Sequence, residues 1–282
     1  MNPDYAENLR HVDRRAVSLI DKGILFRQRG KNEMALASFD KAVTICRPLS
    51  DKSDPVALVL AQALDNKARS LMDLDRTAEA IPCFDEAIRV HEGIVCGDGT
   101  EQDVHEIAIS VMNKGLALMR LGNSEEALAC FERALDGFRR SESNEDAARA
   151  LLNCGELYIR QGRLDAALAA YNEALASWEA VIDDEPDGTM ADYAYTLYGK
   201  ADVLHCLERY GEALDLTDRS IALHRAVLKH ANGPSERETM AVAVNLRGHI
   251  LTKMGRSKEA QECFREAAQL KGKVDGLRED AN

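Results

Sequence analysis

The chain has 282 residues, 45% of them hydrophobic, with only six prolines and a formal net charge of -12. That charge opposes nucleic-acid binding, which needs a dense basic surface, and it equally opposes docking on anionic membranes. No apolar run approaches the length that spans a bilayer, and the N-terminal stretch MNPDYAENLRHVDRR holds no apolar signal core. The seven cysteines are odd in number and form no C-x-x-C pair, which disfavours a disulfide framework or a zinc site. A reducing, cytoplasmic setting is the expectation.

Read in chain order, the sequence repeats. Alanine recurs at Ala16, Ala61, Ala108, Ala148, Ala194 and Ala241, and again nineteen positions on at Ala35, Ala80, Ala127, Ala167, Ala213 and Ala260. An internal period near 45 residues signals stacked supersecondary units. Six copies fall near residues 10–49, 55–97, 101–142, 145–184, 188–231 and 235–271. The expectation is one elongated all-α domain over 1–271 of about twelve helices, followed by a polar tail over 272–282.

With the first alanine as position 1, position 4 is Leu19, Leu64, Val111, Leu151, Leu197 and Val244. Position 8 is small throughout: Gly23, Ala68, Gly115, Gly155, Ala201 and Gly248. Position 11 is again large and apolar, from Phe26 to Leu251. Steps 1, 4, 8 and 11 trace one face of a helix. Position 15 is Gly30, Gly122, Gly162 or Gly255 in four copies, a left-handed stop. Two residues on, Asn32, Thr77, Ser124 and Ser257 are the expected caps of a second helix. That helix carries an aromatic at position 24 in five copies (Phe39, Phe84, Phe131, Tyr171, Phe264) and Thr217 in the fifth. Cys83, Cys130 and Cys263 share position 23 and read as small buried packing residues. Pro82 falls inside the second helix of copy two and is expected to bend it. Turn formers separate the copies at 48–55, 97–99, 141–145, 186–188 and 231–234.

In copy six the columns that would pack on a further copy change to Gln261, Ala268 and Lys271. A terminal repeat needs such a solvent-tolerant face, so a monomer is expected. His91 and His224 share position 31 with Cys46, Phe138 and Trp178 and read as packing residues.

The small residue at 8, the glycine at 15 and the Ala-aromatic-Ala pattern at 20, 24 and 27 resemble the tetratricopeptide repeat family. The closest copy runs from Asn113-Lys114-Gly115 through Leu121-Gly122 to Phe131 and Ala134. The resemblance covers roughly residues 10–271 and implies a right-handed α-solenoid. The family's usual unit is about 34 residues; these longer units are similar to kinesin light chain arrays, which bind peptides from cargo adaptors. The resemblance implies a protein- or peptide-binding scaffold or adaptor, with the concave face lined by first-helix positions 2, 5, 6, 9, 12 and 13.

Carried onto this chain, position 6 supplies Asn66, Asn113 and Asn153, whose amides both donate and accept. Neighbouring positions supply Arg69, Arg120, Arg149, Arg160 and Glu156, and copy five adds Tyr195 and Tyr198. Arg120, Arg149 and Arg160 make the middle of this face positive, which favours a peptide with acidic side chains or a free C-terminal carboxylate. The acidic positions are Asp21, Asp65, Asp73, Glu156 and Asp202. Asp202, His205 and His249 have a spacing that a metal could use, but isolated polar groove residues account for them better, and no metal or cofactor is assigned. There is no Gly-rich phosphate loop or nucleophile elbow, so no enzyme is expected. A peptide-responsive sensor is the alternative reading, and a metal-binding protein a minor one.

Overall fold

A computed structural model of the chain describes residues 3–52, 54–94, 100–182, 188–230 and 233–279. Among them are twelve α-helices, one short 3-10 helix (Arg47–Lys52) and no strand. The first helices of the repeats are α1 (Pro3–Gln28), α3 (Asp54–Asp73), α5 (Glu101–Arg120), α7 (Asn144–Arg160), α9 (Gly188–Cys206) and α11 (Pro234–Lys253). Their partners are α2 (Asn32–Cys46), α4 (Thr77–Ile94), α6 (Ser124–Arg140), α8 (Leu164–Glu179), α10 (Tyr210–His230) and α12 (Ser257–Glu279). The helices group into two compact units of three repeats each, Met1–Ser143 and Asn144–Asn282, where the sequence reading has one domain. α12 continues as helix to Glu279, through most of the stretch read as a polar tail. The turn stretches at 97–99, 186–187 and 231–232 lie outside the described residues.

One turn joins the two helices of every repeat. Position 15 is left-handed in all six copies: Gly30, Gly122, Gly162 and Gly255 have φ of 69 to 83°, and Asp75 and Glu208 take the same conformation at 58° and 60°. The amide at position 16 then donates to the carbonyl at position 11, as in Lys31 to Phe26, Arg76 to Leu71 and Arg209 to Leu204. This closes the first helix and satisfies a carbonyl otherwise left bare. The tightness of the turn corrects the capping expectation. The cap residue is position 16, not 17: Lys31 and Asn123 occupy it without a side-chain cap. Asn32 and Ser124 are already the first helical residues. At Arg76, Arg209 and Arg256 the cap side chain instead forks onto the glutamate three residues on, at 2.6 to 2.8 Å.

The small residue at position 8 exists because the aromatic at position 24 lies on it. A Cβ at Gly23, Gly115, Gly155 or Gly248 would stand 2.5 to 2.7 Å from the ring of Phe39, Phe131, Tyr171 or Phe264 of the same repeat. Phe39, Phe84, Phe131 and Tyr171 are buried almost completely, and burial of such rings contributes about 1.5–3 kcal/mol each. In Met1–Ser143 one cluster joins Ile20, Phe39 and Val43 of the first repeat to Leu60 and Leu64 of the second. In Asn144–Asn282 Trp178 packs with Leu197, Leu204 and Ile250. Cys46, His91, Phe138, Trp178 and His224 at position 31 are all buried, whereas Gln261, Ala268 and Lys271 are exposed.

One smaller expectation changes. Cys263 is buried, but Cys83 and Cys130 are only half-buried, and none of the described cysteines is in a disulfide. Pro82 lies inside α4, as expected. No helix among the described residues is long and apolar enough to cross a membrane.

Candidate functional site

In Met1–Ser143 the expected site residues belong to α3 and α5. Asn66 is buried; its Oδ1 accepts from Arg27 Nη1 at 3.4 Å and its Nδ2 donates to the Gln62 carbonyl at 2.9 Å. That amide is spent joining the first two repeats. Asn113, one repeat later, is half-buried and has no hydrogen bond to any described residue. Arg69 and Arg120 are exposed, and Arg120 Nη1 reaches the Met72 carbonyl at 3.3 Å. Asn113 and Arg120 are seven residues apart on α5, two turns along one face.

Asp65 departs from its expected place among the groove charges. Ser110 Oγ of α5 donates to its Oδ2 at 2.5 Å, and its Oδ1 is buried without a partner. Burial pushes this carboxyl up to about 7; the Ser110 hydrogen bond and Arg69 pull it down, and Glu106 pushes it further up. Asp65 is therefore a joint between repeats two and three.

In Asn144–Asn282 the expected residues gather on α7 and α9 with a different charge balance. Arg149 bonds Asp192 at 2.9 Å, Asp146 at 3.3 Å and Glu145 at 2.5 Å, and its guanidinium lies 5.7 Å over the Trp178 ring. Burial works against its charge, but Asp192 and Glu145 outweigh it and raise the pKa. Three carboxylates thus already surround the Arg149 guanidinium. Asn153 Nδ2 donates to the Arg149 carbonyl at 2.9 Å, which leaves its oxygen as the available end. Arg160 is exposed at the end of α7.

Tyr195 and Tyr198 stack at 5.4 Å, and the Tyr195 hydroxyl donates to Glu156 Oε1 at 2.8 Å. Burial pushes Tyr198 up to about 12, with Asp202 and Glu156 adding to it, and raises Tyr195 for the same first reason. Both phenols therefore stay protonated donors at neutral pH. Gly199, beside Tyr198, makes room for the Tyr171 ring, since a Cβ there would stand 2.5 Å from it. The second unit thus carries a stacked tyrosine pair, while in the first Asn113 and Arg120 share one face of α5.

At the end of α9, Asp202, His205 and Cys206 bring one donor atom each within 4.8 Å of one another. Sequence reading placed Asp202 and His205 together but missed Cys206, because the other cysteines followed a packing column. Its position, four residues after Asp202, was the available signal. A separate depression of about 580 Å³ lies among α4, α5 and α6. Four of its charges are paired, Lys114 to Asp85 at 2.6 Å and Arg133 to Glu92, and Arg89 lines it as well.

Three profiles of the tetratricopeptide repeat match the chain, at residues 60–95, 106–180 and 241–273. Among solved structures, BtubC (BKLC) from P. vanneervenii superposes with a TM-score of 0.70 at 15% identity, over 87% of this chain and 92% of that one. RapI in its apo form gives a TM-score of 0.65 at 13% identity, over 93% and 99% of the two chains. The TPR-like repeats of a Podosopora anserina chain assigned as a kinesin light chain give 0.60 at 14%, over 76% and 95%. At such identities the likeness is one of fold. A search of curated proteins found no match.

Proposed function

The chain belongs to the tetratricopeptide repeat family, and we propose that it is a scaffold holding a peptide segment of a protein partner against the first helices of its repeats. The repeat fold generally serves protein interaction and is typically non-enzymatic; the same is proposed for this chain. The observation that carries the reading is on α5. Asn113 presents a half-buried amide with no described partner, flanked on the first-helix row by exposed Arg69 and Arg120. An amide with both a donor and an acceptor to give suits a peptide backbone. Two guanidiniums beside it suit an acidic side chain or a C-terminal carboxylate. In the second unit, stacked Tyr195 and Tyr198 offer a rigid apolar platform of the kind that anchors binding hot spots.

Selection of displayed random peptides with free C-termini against the full chain tests this. Enriched peptides are expected to carry acidic groups, and Asn113→Ala with Arg120→Glu is expected to weaken them about 10-fold or more, since charge-assisted contacts are worth more than about 1.4 kcal/mol. Undiminished binding by a variant with unchanged helicity moves the binding surface elsewhere.

A further inference from the structure

We propose that Asp202, His205 and Cys206, joined by His249, form a site for a borderline divalent transition metal such as Zn2+ or Co2+. The proposal stands apart from the scaffold reading, and neither depends on the other. The three α9 residues have i, i+3 and i+4 spacing, which puts them on one face over a single turn. Their donor atoms, a carboxylate oxygen, an imidazole nitrogen and a thiol sulfur, all lie within 4.8 Å of one another.

Helix spacing alone does not make a site, but the histidine has an unmet need. His205 Nε2 is buried and bonds to nothing among the described residues. A buried imidazole nitrogen without a partner is unfavourable, and a metal ion would satisfy it.

His249 enters from the neighbouring first helix. It occupies position 9 of the sixth repeat as Asp202 does of the fifth, so the repeat itself sets the two side by side. It is close enough to act electrostatically on both Asp202 and His205; its exposed ring packs edge-on against Phe264 at 5.2 Å and must rotate from there to join them. Lys253 faces the same group and opposes a cation; it is exposed at the end of α11 and can swing into solvent.

The donor set selects the metal. A single carboxylate cannot satisfy calcium or magnesium, which need six or more oxygen ligands including water. Nitrogen and sulfur donors suit zinc, cobalt, nickel or copper. Tetrahedral zinc, with bonds of about 2.0–2.3 Å, separates its ligands by about 3.3–3.7 Å. Closing from 4.8 Å therefore takes a side-chain adjustment of about an ångström, which exposed Cys206 can supply. On binding, Cys206 releases its thiol proton to solvent and forms a sulfur–metal bond, with no change of oxidation state.

Cobalt titration of the full chain under reducing conditions, followed by zinc competition, tests the proposal. The expected result is one saturable equivalent with a thiolate-to-cobalt charge-transfer band that zinc abolishes. Cys206→Ser is expected to remove the band while helicity by circular dichroism is unchanged. His205→Ala or Asp202→Asn should weaken binding by at least the roughly 10- to 100-fold that losing an outer-shell partner costs. No saturable binding by the parent chain, or the same band and affinity in Cys206→Ser, overturns the site. The second result would place the metal at another cysteine.

Discussion

Asp65 and His224 are buried side chains whose surroundings work against their charge, and they act on stability from opposite sides of neutrality. The folded Asp65 carboxyl sits near 7, raised from 3.8 by burial. A raised folded value means stability present below the unfolded pKa and lost as pH rises through the folded one. Asp65→Asn is therefore expected to gain on the parent chain by roughly 2–3 kcal/mol between pH 5 and pH 8, measured by urea titration at each pH. His224 runs the other way: burial lowers it to about 4, and its Nε2 has no partner among the described residues. The unfolded chain then takes up a proton that the fold refuses, so stability is lost as pH falls from 6.5 towards 4. Position 31 already accepts Phe138 and Trp178 in other repeats. His224→Phe is accordingly expected to shed about 2 kcal/mol of the stability lost between pH 7 and pH 5. The column of position 31 was legible in the sequence as packing. Asp65 was not, because position 5 reads as groove-facing and nothing local says that Ser110, 45 residues on, would close over it.

At the scale of the helix pair, two demands shape each repeat: a left-handed turn and a close approach. Four copies meet the first with glycine, while Asp75 and Glu208 adopt φ of 58° and 60°, at a cost that glycine would not carry. The second demand puts Gly115 under Phe131, where a Cβ would stand 2.7 Å from Cε1 of a fully buried ring. Alanine inside a helix gains about 1 kcal/mol over glycine, but overpacking a core costs about 1–3 kcal/mol. Gly115→Ala is thus expected to lose up to roughly 2 kcal/mol net, read from the denaturant midpoint at constant slope; a more stable variant would mean that the ring yields freely. The fifth repeat has Ala201 at position 8 with Thr217 in place of the aromatic, whereas the second buries both Ala68 and Phe84. These pairings were readable from the columns. The position of the helix start was not, because a cap depends on backbone turn geometry more than on which residue offers a hydroxyl.

For the whole molecule, the polar end of the sixth repeat bears on assembly. Gln261, Ala268 and Lys271 are exposed where the other repeats bury leucine, isoleucine, phenylalanine or tryptophan. Sedimentation equilibrium is expected to return the 31.1 kDa of a single chain, and Gln261→Leu with Lys271→Phe is expected to drive self-association by exposing an apolar face. A parent chain that sediments as a dimer would show that another surface assembles it. The sequence by itself determined the helix pairs, their phase and their glycine-aromatic contacts, because periodicity and turn chemistry act over a few residues. Only the tertiary structure decided which first-helix side chains already have partners. Arg149 is held by Asp192, Asn66 by Arg27, and Glu156 by Tyr195. Each of those pairings spans about 40 residues, a full repeat, and such partners are chosen by how neighbouring repeats pack.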